Sequence, residues 1–325
     1  MPNIAITAYC NLKCPYCFAN EMISNQEEKN ITLEQFEKII QWIPLNPTRG
    51  LGLIGGEPTL HPQFKEILEI TERYLQKTQS HCVIFTNGVY IKKYIPYLTR
   101  NFNLLVNVNG PEDMGETQWN SLQEALNLFN TMNWLSKHSN QDALSHKAYL
   151  GCNICMERKD YSFIWEIIEK YDLAELRVSV TAPTKPEYKN NKHKYYTDMK
   201  PIFLDFVKKA KEHNLKLVAD CNQIPLCYYT EEEKELVLEV MPEMNNKGRC
   251  GPVIDITADF HASSCFGAYE LVDCNNFSSF ENLEFYLTAT KFIPRMINNT
   301  AEPCQNCPLH ENLECQGGCL GFSHI

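Results

Sequence analysis

The feature that most constrains the fold is a regular alternation of strand-like and helical segments over the first 220 residues. Between apolar strand-like runs, apolar residues recur at three- and four-residue steps, as they do on the buried face of a helix. This alternation predicts an α/β fold with a parallel sheet and helices outside it. About seven strand–helix units suit a partial (β/α)6-7 barrel and are too few for a complete eight-fold barrel. The strand-like runs cover residues 3–9, 51–55, 82–87, 103–109, 148–154, 175–180 and 215–220.

The pattern changes after residue 220. One helical segment, "EEEKELVLEVM", is followed by a Gly-, Asn- and Cys-rich tail that has little core of its own. A small domain with so few apolar anchors usually needs bound metal to be stable. We therefore expect two domains, a partial barrel over residues 1–220 and a small Cys-rich domain over residues 221–325.

The composition argues against several classes of protein. The formal net charge of −10 gives no general support for a nucleic-acid partner, which would need a basic face. The opening residues "MPNIAITAYC" show no cleavable signal, and no apolar run approaches the length of a membrane span. We therefore expect a cytoplasmic protein with no membrane partner, in which thiols stay reduced. An odd count of 15 cysteines then favours metal binding or catalysis over disulfides, with isolated ones such as Cys82 and Cys274 packed in the core.

Three cysteines, Cys10, Cys14 and Cys17, lie within eight residues directly after the first strand-like run. Three thiolates can hold three irons of a four-iron cluster and leave the fourth iron open to a ligand. A structural zinc site or an electron-transfer cluster normally has four protein ligands. The spacing therefore favours a cluster that binds a further molecule, and the alternatives are a zinc site or chance.

Polar and glycine residues also follow the next three strand-like runs. Gly55, Gly56, Glu57 and Pro58 come after the second run, the segment "TNG" with Asn87 ends the third, and Asn107 and Asn109 end the fourth. The carboxyl ends of parallel strands meet at one edge of a sheet, where the active sites of such folds lie.

The three-cysteine motif with Tyr16 before its last cysteine, together with "GGEP" at 55–58, "TNG" at 86–88 and "NVNGP" at 107–111, resembles the radical S-adenosylmethionine (SAM) superfamily. The resemblance implies that Cys10, Cys14 and Cys17 hold a catalytic [4Fe-4S] cluster and that SAM binds its open iron. Reductive cleavage of SAM would produce a 5′-deoxyadenosyl radical, which removes a hydrogen atom from the substrate. The protein would supply positioning and exclude water and oxygen.

The same resemblance implies a set of cofactor contacts. Glu57 and the backbone of Gly55 and Gly56 would meet the amino group of the SAM methionine, and Tyr16 would pack near the adenine. Related enzymes typically carry Ser-x-Asp-Gly where this chain has Asn107-x-Asn109-Gly, so the negative charge at Asn109 is lost while Asn107 can still bond the ribose or carboxylate. Polar residues on the fifth and sixth runs could also reach those groups, although they could equally be ordinary polar strand ends. The remaining expected cofactor residues are Pro58, Asn87, Asn109, Asn153 and Arg177.

The tail resembles the SPASM/twitch-like extension that carries auxiliary iron–sulfur clusters, with two departures. The middle gap of its cysteine motif is seven residues, and no cysteine follows Cys319. The resemblance implies one cluster on Cys250, Cys265 and Cys319, completed by Cys221 or Cys227. It implies a second on Cys304, Cys307 and Cys315, completed by the remaining thiol or by an exogenous ligand. A tail with one auxiliary [4Fe-4S] cluster, or a zinc site, is the alternative.

Three hypotheses for function follow. The first is a radical SAM enzyme that acts on a peptide or protein side chain and forms a crosslink, an oxidised residue or an epimer. The second is a small-molecule dehydrogenase or rearrangement enzyme with the same core, and the third is a non-catalytic zinc or iron–sulfur protein. Either enzyme needs an external electron donor of the flavodoxin or ferredoxin type. Because the first strand begins at residue 3, we expect a separate peptide-recognition protein to deliver a peptide substrate.

Overall fold

The architecture is a single sheet of ten strands in a computed structural model. The strands are β1 (Asn3–Thr7), β2 (Leu51–Gly55), β3 (Cys82–Thr86), β4 (Phe102–Asn107), β5 (Ala148–Ile154), β6 (Glu175–Val180), β7 (Lys216–Ala219), β8 (Asp255–Ile256), β9 (His261–Ser263) and β10 (Val272–Asp273). Their order in the sheet is β10-β9-β8-β1-β2-β3-β4-β5-β6-β7. The structure describes residues 1–17, 19, 26, 28–137, 147–183, 185–189, 191–246, 250–265, 270–298, 301–312 and 314–322.

Strands β1 to β7 pair in parallel and in chain order, which confirms the predicted α/β class and parallel sheet. Each coincides with a predicted run to within two residues at either end. Burial alternates along β3, where Cys82, Ile84 and Thr86 are buried while Val83 and Phe85 are half-buried. One face of the sheet is therefore packed closely, and the other is more open and free to line a site.

Helices lie in the connections between the strands. They are α1 (Leu33–Trp42), α2 (Phe64–Thr78), α3 (Pro111–Met114), α4 (Glu116–Thr131), α5 (Ser162–Tyr171), α6 (Pro186–Lys189), α7 (Lys192–Glu212), α8 (Glu231–Val240), α9 (Phe280–Leu287), α10 (Ile293–Asn298) and α11 (Pro308–Glu311). The local sequence explains the start of α1. Thr32 and Gln35 form a capping box there, in which each side chain accepts from the other's backbone N–H. The helical pattern near residue 91 is instead a 3-10 helix, Ile91–Tyr97, which contains Pro96 and therefore lacks one backbone donor.

The tail returns to the first strand. β8 pairs in parallel with β1, and the Asn3 side chain donates to Oδ1 of Asp255 at 2.7 Å. On the helical layer, the Trp42 ring of α1 packs against Phe260 and Phe280 of the tail, with ring centres 5.4 and 5.6 Å apart. Few local apolar residues are needed because the tail shares the apolar core of the barrel. The expected boundary at residue 220 stays a prediction, and this return was not predicted.

Candidate active site

The three-cysteine segment leaves the carboxyl end of β1 and turns back on itself, with the N–H of Cys17 bonded to the carbonyl of Cys14 at 3.1 Å. Cys10 is exposed, and Cys14 and Cys17 are half-buried. Burial raises the pKa of Cys14 to about 11, and the charges of Cys17 and Cys10 raise it as well. The three thiols are therefore close enough to repel one another as thiolates, and a bound cation would relieve that repulsion.

The glycine motif after β2 lies directly beside this segment. The N–H of Gly56 bonds to the carbonyl of Thr7 at 2.8 Å, and the N–H of Glu57 bonds to the carbonyl of Tyr9 at 2.7 Å. A Cβ on Gly56 would lie 2.3 Å from the Tyr9 carbonyl oxygen, and one on Gly55 would lie 2.4 Å from that of Thr7. Both positions therefore require glycine, because any side chain would push the two segments apart.

Glu57 is buried, and its carboxylate is held inside the protein. Oε1 accepts from the Thr59 N–H at 3.1 Å, the Thr59 hydroxyl at 2.6 Å and the Thr86 hydroxyl at 2.8 Å, while Oε2 accepts from the Asn87 N–H at 2.7 Å. Burial raises the pKa of Glu57, and these donors oppose that shift. The side chain thus ties the end of β2 to the end of β3. The adjacent Pro58 is also buried, as the first residue of the 3-10 helix Pro58–Leu60.

Asn87 connects β3 to the cysteine segment. Its side-chain N–H donates to Oδ1 of Asn11 at 2.8 Å, and its Oδ1 accepts from the Val89 N–H at 3.1 Å. On the other side of Asn11, Gln118 donates to its carbonyl at 3.3 Å. Asn11 and Gln118 carry no motif signal in the sequence, and only the tertiary structure brings them to the site.

Asn109 lies under the same segment. Its Oδ1 accepts a short hydrogen bond from the Tyr16 hydroxyl and lies 3.8 Å from the Cys14 sulfur. Asn109 and Tyr16 are both buried. A neutral amide beside the half-buried Cys14 thiol adds no negative charge there, whereas a carboxylate at this position would repel the thiolate.

Asn107, Asn153 and Arg177 share one face of the sheet. Asn107 pairs in register with Gly151, and Gly151 pairs with Arg177. Asn153 accepts from the Ser179 hydroxyl at 2.6 Å. All three side chains are half-buried on the open face; Asn107 and Asn153 lie near the carboxyl ends of β4 and β5, and Arg177 lies near the middle of β6.

Arg177 is already ion-paired. Its guanidinium donates to Oδ1 of Asp220 at 2.8 Å, while its Nε is buried without a hydrogen-bond partner. A buried N–H of this kind normally finds an acceptor, so Nε is available to an anionic or carbonyl group that enters from the open face.

Sequence reasoning missed Arg158, which lies in the loop after β5. Its side chain is only 4% exposed and forms ion pairs with Asp113 and, at 4.0 Å, with Glu112. The guanidinium also lies over the rings of Tyr161 and Phe163, at 5.6 and 5.1 Å from their centres. The "ERKD" stretch reads as a solvated charged loop, so no local signal marks this residue.

Four of the eight tail thiols, Cys227, Cys304, Cys315 and Cys319, lie near the start of α7. Tyr196 of that helix accepts from the Cys319 N–H at 2.9 Å and donates to Asn222, next to Cys221, at 2.7 Å. Gly318 lies against the same ring, where a Cβ would come 2.4 Å from the hydroxyl oxygen, at a φ of +92°. Lys192 lies one turn earlier and is buried. Burial lowers its pKa, and the charges of Cys319, Cys304 and Cys315 oppose that shift.

The donor set fits iron–sulfur clusters. Cysteine thiolates are the usual ligands of such clusters, and each iron takes one of them. Among the residues that the structure describes, no three Cys, His, Asp or Glu side chains converge tightly enough to hold one metal ion. A cluster does not require that convergence, because its ligands are spread over several irons, whereas a mononuclear zinc site does.

The part of the sequence that forms this site matches a known protein family. The Radical SAM superfamily is matched by residues 4–133, which contain the three cysteines and the motifs after β2, β3 and β4. The predicted resemblance to the radical SAM superfamily is confirmed over these residues, which make up less than half of the chain.

Curated relatives match a limited part of the chain. GTP 3′,8-cyclase of Bradyrhizobium diazoefficiens is 25% identical over 129 residues, 38% of this chain and 38% of that protein. The GTP 3′,8-cyclase of Caulobacter vibrioides is 27% identical over 107 residues, 33% of this chain and 31% of that protein. The chain thus matches only 31% to 38% of the length of these relatives.

Solved structures match nearly the whole chain. Streptococcus suis SuiB bound to S-adenosylmethionine has a TM-score of 0.62 at 15% identity, covering 98% of this chain and 72% of SuiB. The structure of anSMEcpe with bound AdoMet has a TM-score of 0.61 at 17% identity, covering 98% of this chain and 88% of that one. At these identities the likeness shows the fold, which includes the tail and agrees with the predicted partial barrel.

None of the described helices combines the length and the apolar character needed to cross a membrane.

Proposed function

We propose that this protein is a radical SAM enzyme in which Cys10, Cys14 and Cys17 hold a [4Fe-4S] cluster with one iron open to SAM. When bound and reduced, the cluster and SAM supply a 5′-deoxyadenosyl radical that removes a hydrogen atom from the substrate. The observation that carries the proposal is the position of the three thiols at the end of β1, directly against Gly55 and Gly56.

The backbone of Gly55 and Gly56 is proposed to meet the amino group of SAM, since both residues are half-buried and a carbonyl accepts from an ammonium. Glu57 is a positioning residue, because its carboxylate is engaged by Thr59, Thr86 and Asn87.

The strand ends are proposed to bind the rest of SAM. Tyr16 and Asn109 form the floor beneath the adenine, and Asn107, Asn153 and Arg177 bind the ribose and carboxylate from the open face. The unpartnered Nε of Arg177 supports the carboxylate contact. Pro58 and Asn87 contribute by fixing the two loops that carry the site.

The tail is proposed to carry auxiliary [4Fe-4S] clusters on its eight cysteines. Cys304, Cys315 and Cys319 lie near the buried Lys192 at the start of α7, and the fold likeness to SuiB and anSMEcpe extends through the tail. The boundary near residue 220 is proposed as the division between the core and this SPASM-like region.

A peptide or protein side chain is the proposed substrate, modified by crosslinking, oxidation or epimerisation. One solved structure of SuiB is described as bound to the precursor peptide SuiA, and it has a TM-score of 0.59 with this chain over 98% of its length. The half-buried amide, hydroxyl and guanidinium groups on the open face could bond a peptide backbone. A separate peptide-recognition protein is proposed to deliver the substrate.

A small-molecule substrate is the second candidate, and the match to GTP 3′,8-cyclases favours it. That match covers 38% of the chain at most, whereas the structural match to SuiB covers 98%. The greater coverage is the reason for ranking the peptide first. With either substrate, an external flavodoxin- or ferredoxin-like electron donor is proposed. A cytoplasmic location is also proposed, because 15 cysteines in the thiol form need a reducing compartment.

The first experiment tests the activity. The protein is purified without oxygen, reduced with dithionite and supplied with SAM, and deoxyadenosine is measured. We expect release by the wild type, none by Cys14→Ala, and wild-type release by Cys82→Ala, a buried cysteine of β3 outside the site. Release by Cys14→Ala equal to wild type would remove the basis of the proposal.

The second experiment separates the substrate classes. Cell extract is divided by size into peptide and metabolite fractions, and each fraction and GTP are added to the reduced protein with SAM. Stimulated deoxyadenosine release with a mass change in a peptide supports the first candidate. Stimulation by the metabolite fraction or by GTP alone supports the second.

A further inference from the structure

The eight tail cysteines can be divided between two clusters in more than one way. The triad Cys304, Cys307 and Cys315 needs a fourth ligand if it is to hold a four-iron cluster. Two thiols, Cys221 and Cys227, lie at the start of the tail, on either side of a short turn. Their surroundings differ.

Cys221 lies with Cys250, Cys265 and Cys319. The thiols of Cys319, Cys265 and Cys250 all lie within electrostatic reach of the Cys221 thiol. The Tyr196 hydroxyl adds a direct geometric link, since it bonds both the Cys319 N–H and the side chain of Asn222. These four thiols therefore form one group.

Cys227 lies on the 3-10 helix Leu226–Tyr228 on the other side of that turn. It lines a cavity together with Pro303, the residue directly before Cys304. The thiols of Cys315, Cys304 and Cys307 lie within electrostatic reach of the Cys227 thiol. Its neighbours are therefore the incomplete triad.

Two features fix the position of the turn between Cys221 and Cys227. Ile224, midway between the two thiols, is fully buried and anchors the turn. Tyr228, next to Cys227, packs edge-on against Tyr196 with ring centres 5.3 Å apart, and it bonds His193 at 3.3 Å. The turn is thus pinned on α7, with one cysteine on each side of it.

We propose that Cys227 is the fourth ligand of a cluster held by Cys304, Cys307 and Cys315, and that Cys221 completes the other. This inference rests on the proposed function, in which the tail carries iron–sulfur clusters. It assigns four thiolates to each tail cluster and leaves neither with an open iron.

The test uses the full chain with Cys10, Cys14 and Cys17 changed to Ala, so that iron reports the tail alone. After anaerobic reconstitution we expect about eight irons per chain, four for each cluster. Iron content and the electron paramagnetic resonance spectrum of the reduced protein are then compared for single and double variants. Cys274→Ala, a buried cysteine beside neither group, is the matched control, and circular dichroism checks that each variant folds.

When two ligands of the same cluster are both replaced, the losses of iron are not additive. When the two ligands belong to different clusters, the losses of iron add. We expect Cys227→Ala with Cys304→Ala to lose no more iron than Cys304→Ala alone, and Cys227→Ala with Cys250→Ala to lose more than either single variant. Where Cys227→Ala keeps its iron, added cyanide should change its spectrum and leave that of the parent unchanged. The reverse additivity, or a Cys227→Ala protein identical to its parent in iron and in response to cyanide, overturns the inference.

Failure of the proposed function gives a different result. If the wild type forms no deoxyadenosine while the additivity holds, the ligand assignment stands and the catalytic proposal fails. If the parent variant binds zinc and no iron, both the tail clusters and this inference are wrong.

Discussion

The guanidinium carbon of Arg158 lies 5.6 Å from the centre of the Tyr16 ring, so a buried cation supports the segment that carries the three cysteines. The same guanidinium is held by Asp113 from the other side. The loop after β5, the helix after β4 and the cysteine segment are therefore joined through one side chain. Its charge also lowers the pKa of Cys14, against the larger effect of burial.

Replacing Arg158 by Met should lower the free energy of unfolding by about 3 kcal/mol, because Asp113 loses its partner in a mostly buried pair. Arg158→Lys keeps the charge but not the planar fork, so it should recover part of the loss. Anaerobic denaturant unfolding measures both. The control adds Asp113→Asn to Arg158→Met and should restore stability. An Arg158→Met variant as stable as the wild type would show that Arg158 does not stabilise this region.

Replacing Glu57 by Ala should lower the free energy of unfolding by at least about 3 kcal/mol, because the donors of Thr59, Thr86 and Asn87 are left buried without an acceptor. Glu57→Gln keeps the shape but sets an amide N–H against other donors, so an intermediate loss is expected. The thermal midpoint under anaerobic conditions reports both. Glu69→Ala, on the exposed side of α2, is the matched control and should change the thermal midpoint little. Equal midpoints for all three variants would show that Glu57 does not stabilise the ends of β2 and β3.

His61 should make stability depend on pH. Its Nε2 donates to the Ile31 carbonyl at 2.8 Å, its Nδ1 accepts from the Gln63 N–H at 3.1 Å, and burial lowers its pKa below 6.5. The unfolded chain therefore takes up the proton first. The stabilisation is complete above about pH 6.5 and is lost as the pH falls through the lower folded pKa.

The comparison is the thermal midpoint of wild type and His61→Gln between pH 8 and pH 5, values chosen to lie on either side of about 6.5. The wild type should lose more stability than the variant over this range. Parallel curves for the two proteins would show that another group is responsible.

Lys192 should set the reduction potentials of the tail clusters. It is buried between Cys319 of one group and Cys304 and Cys315 of the other; burial lowers its pKa to about 8, and the thiolate charges oppose that shift. A nearby cation favours the reduced, more negative cluster. Lys192→Met should therefore lower both potentials with no loss of iron, whereas Lys192→Arg should preserve them. Spectroscopic redox titration measures the change, and equal potentials in the Met variant and wild type would exclude this role.

The local pattern of the chain determined most of the secondary structure. Apolar periodicity and caps such as Thr32 act within a few residues, so strands β1 to β7 could be predicted to within two residues. The motif residues Cys10, Gly56 and Asn109 could also be placed at one edge, because parallel strands bring their carboxyl ends together.

Only the tertiary structure decided which residues touch. Arg158 reaches Tyr16 across more than 140 positions of sequence, β8 returns to β1 across about 250, and Cys227 lines a cavity with Pro303, the residue before Cys304. Such contacts depend on how the elements pack, and packing leaves no period or spacing in the sequence. The sequence therefore indicates the chemistry of the three-cysteine site, whereas the support of that site and the proposed division of the tail thiols rest on the folded chain.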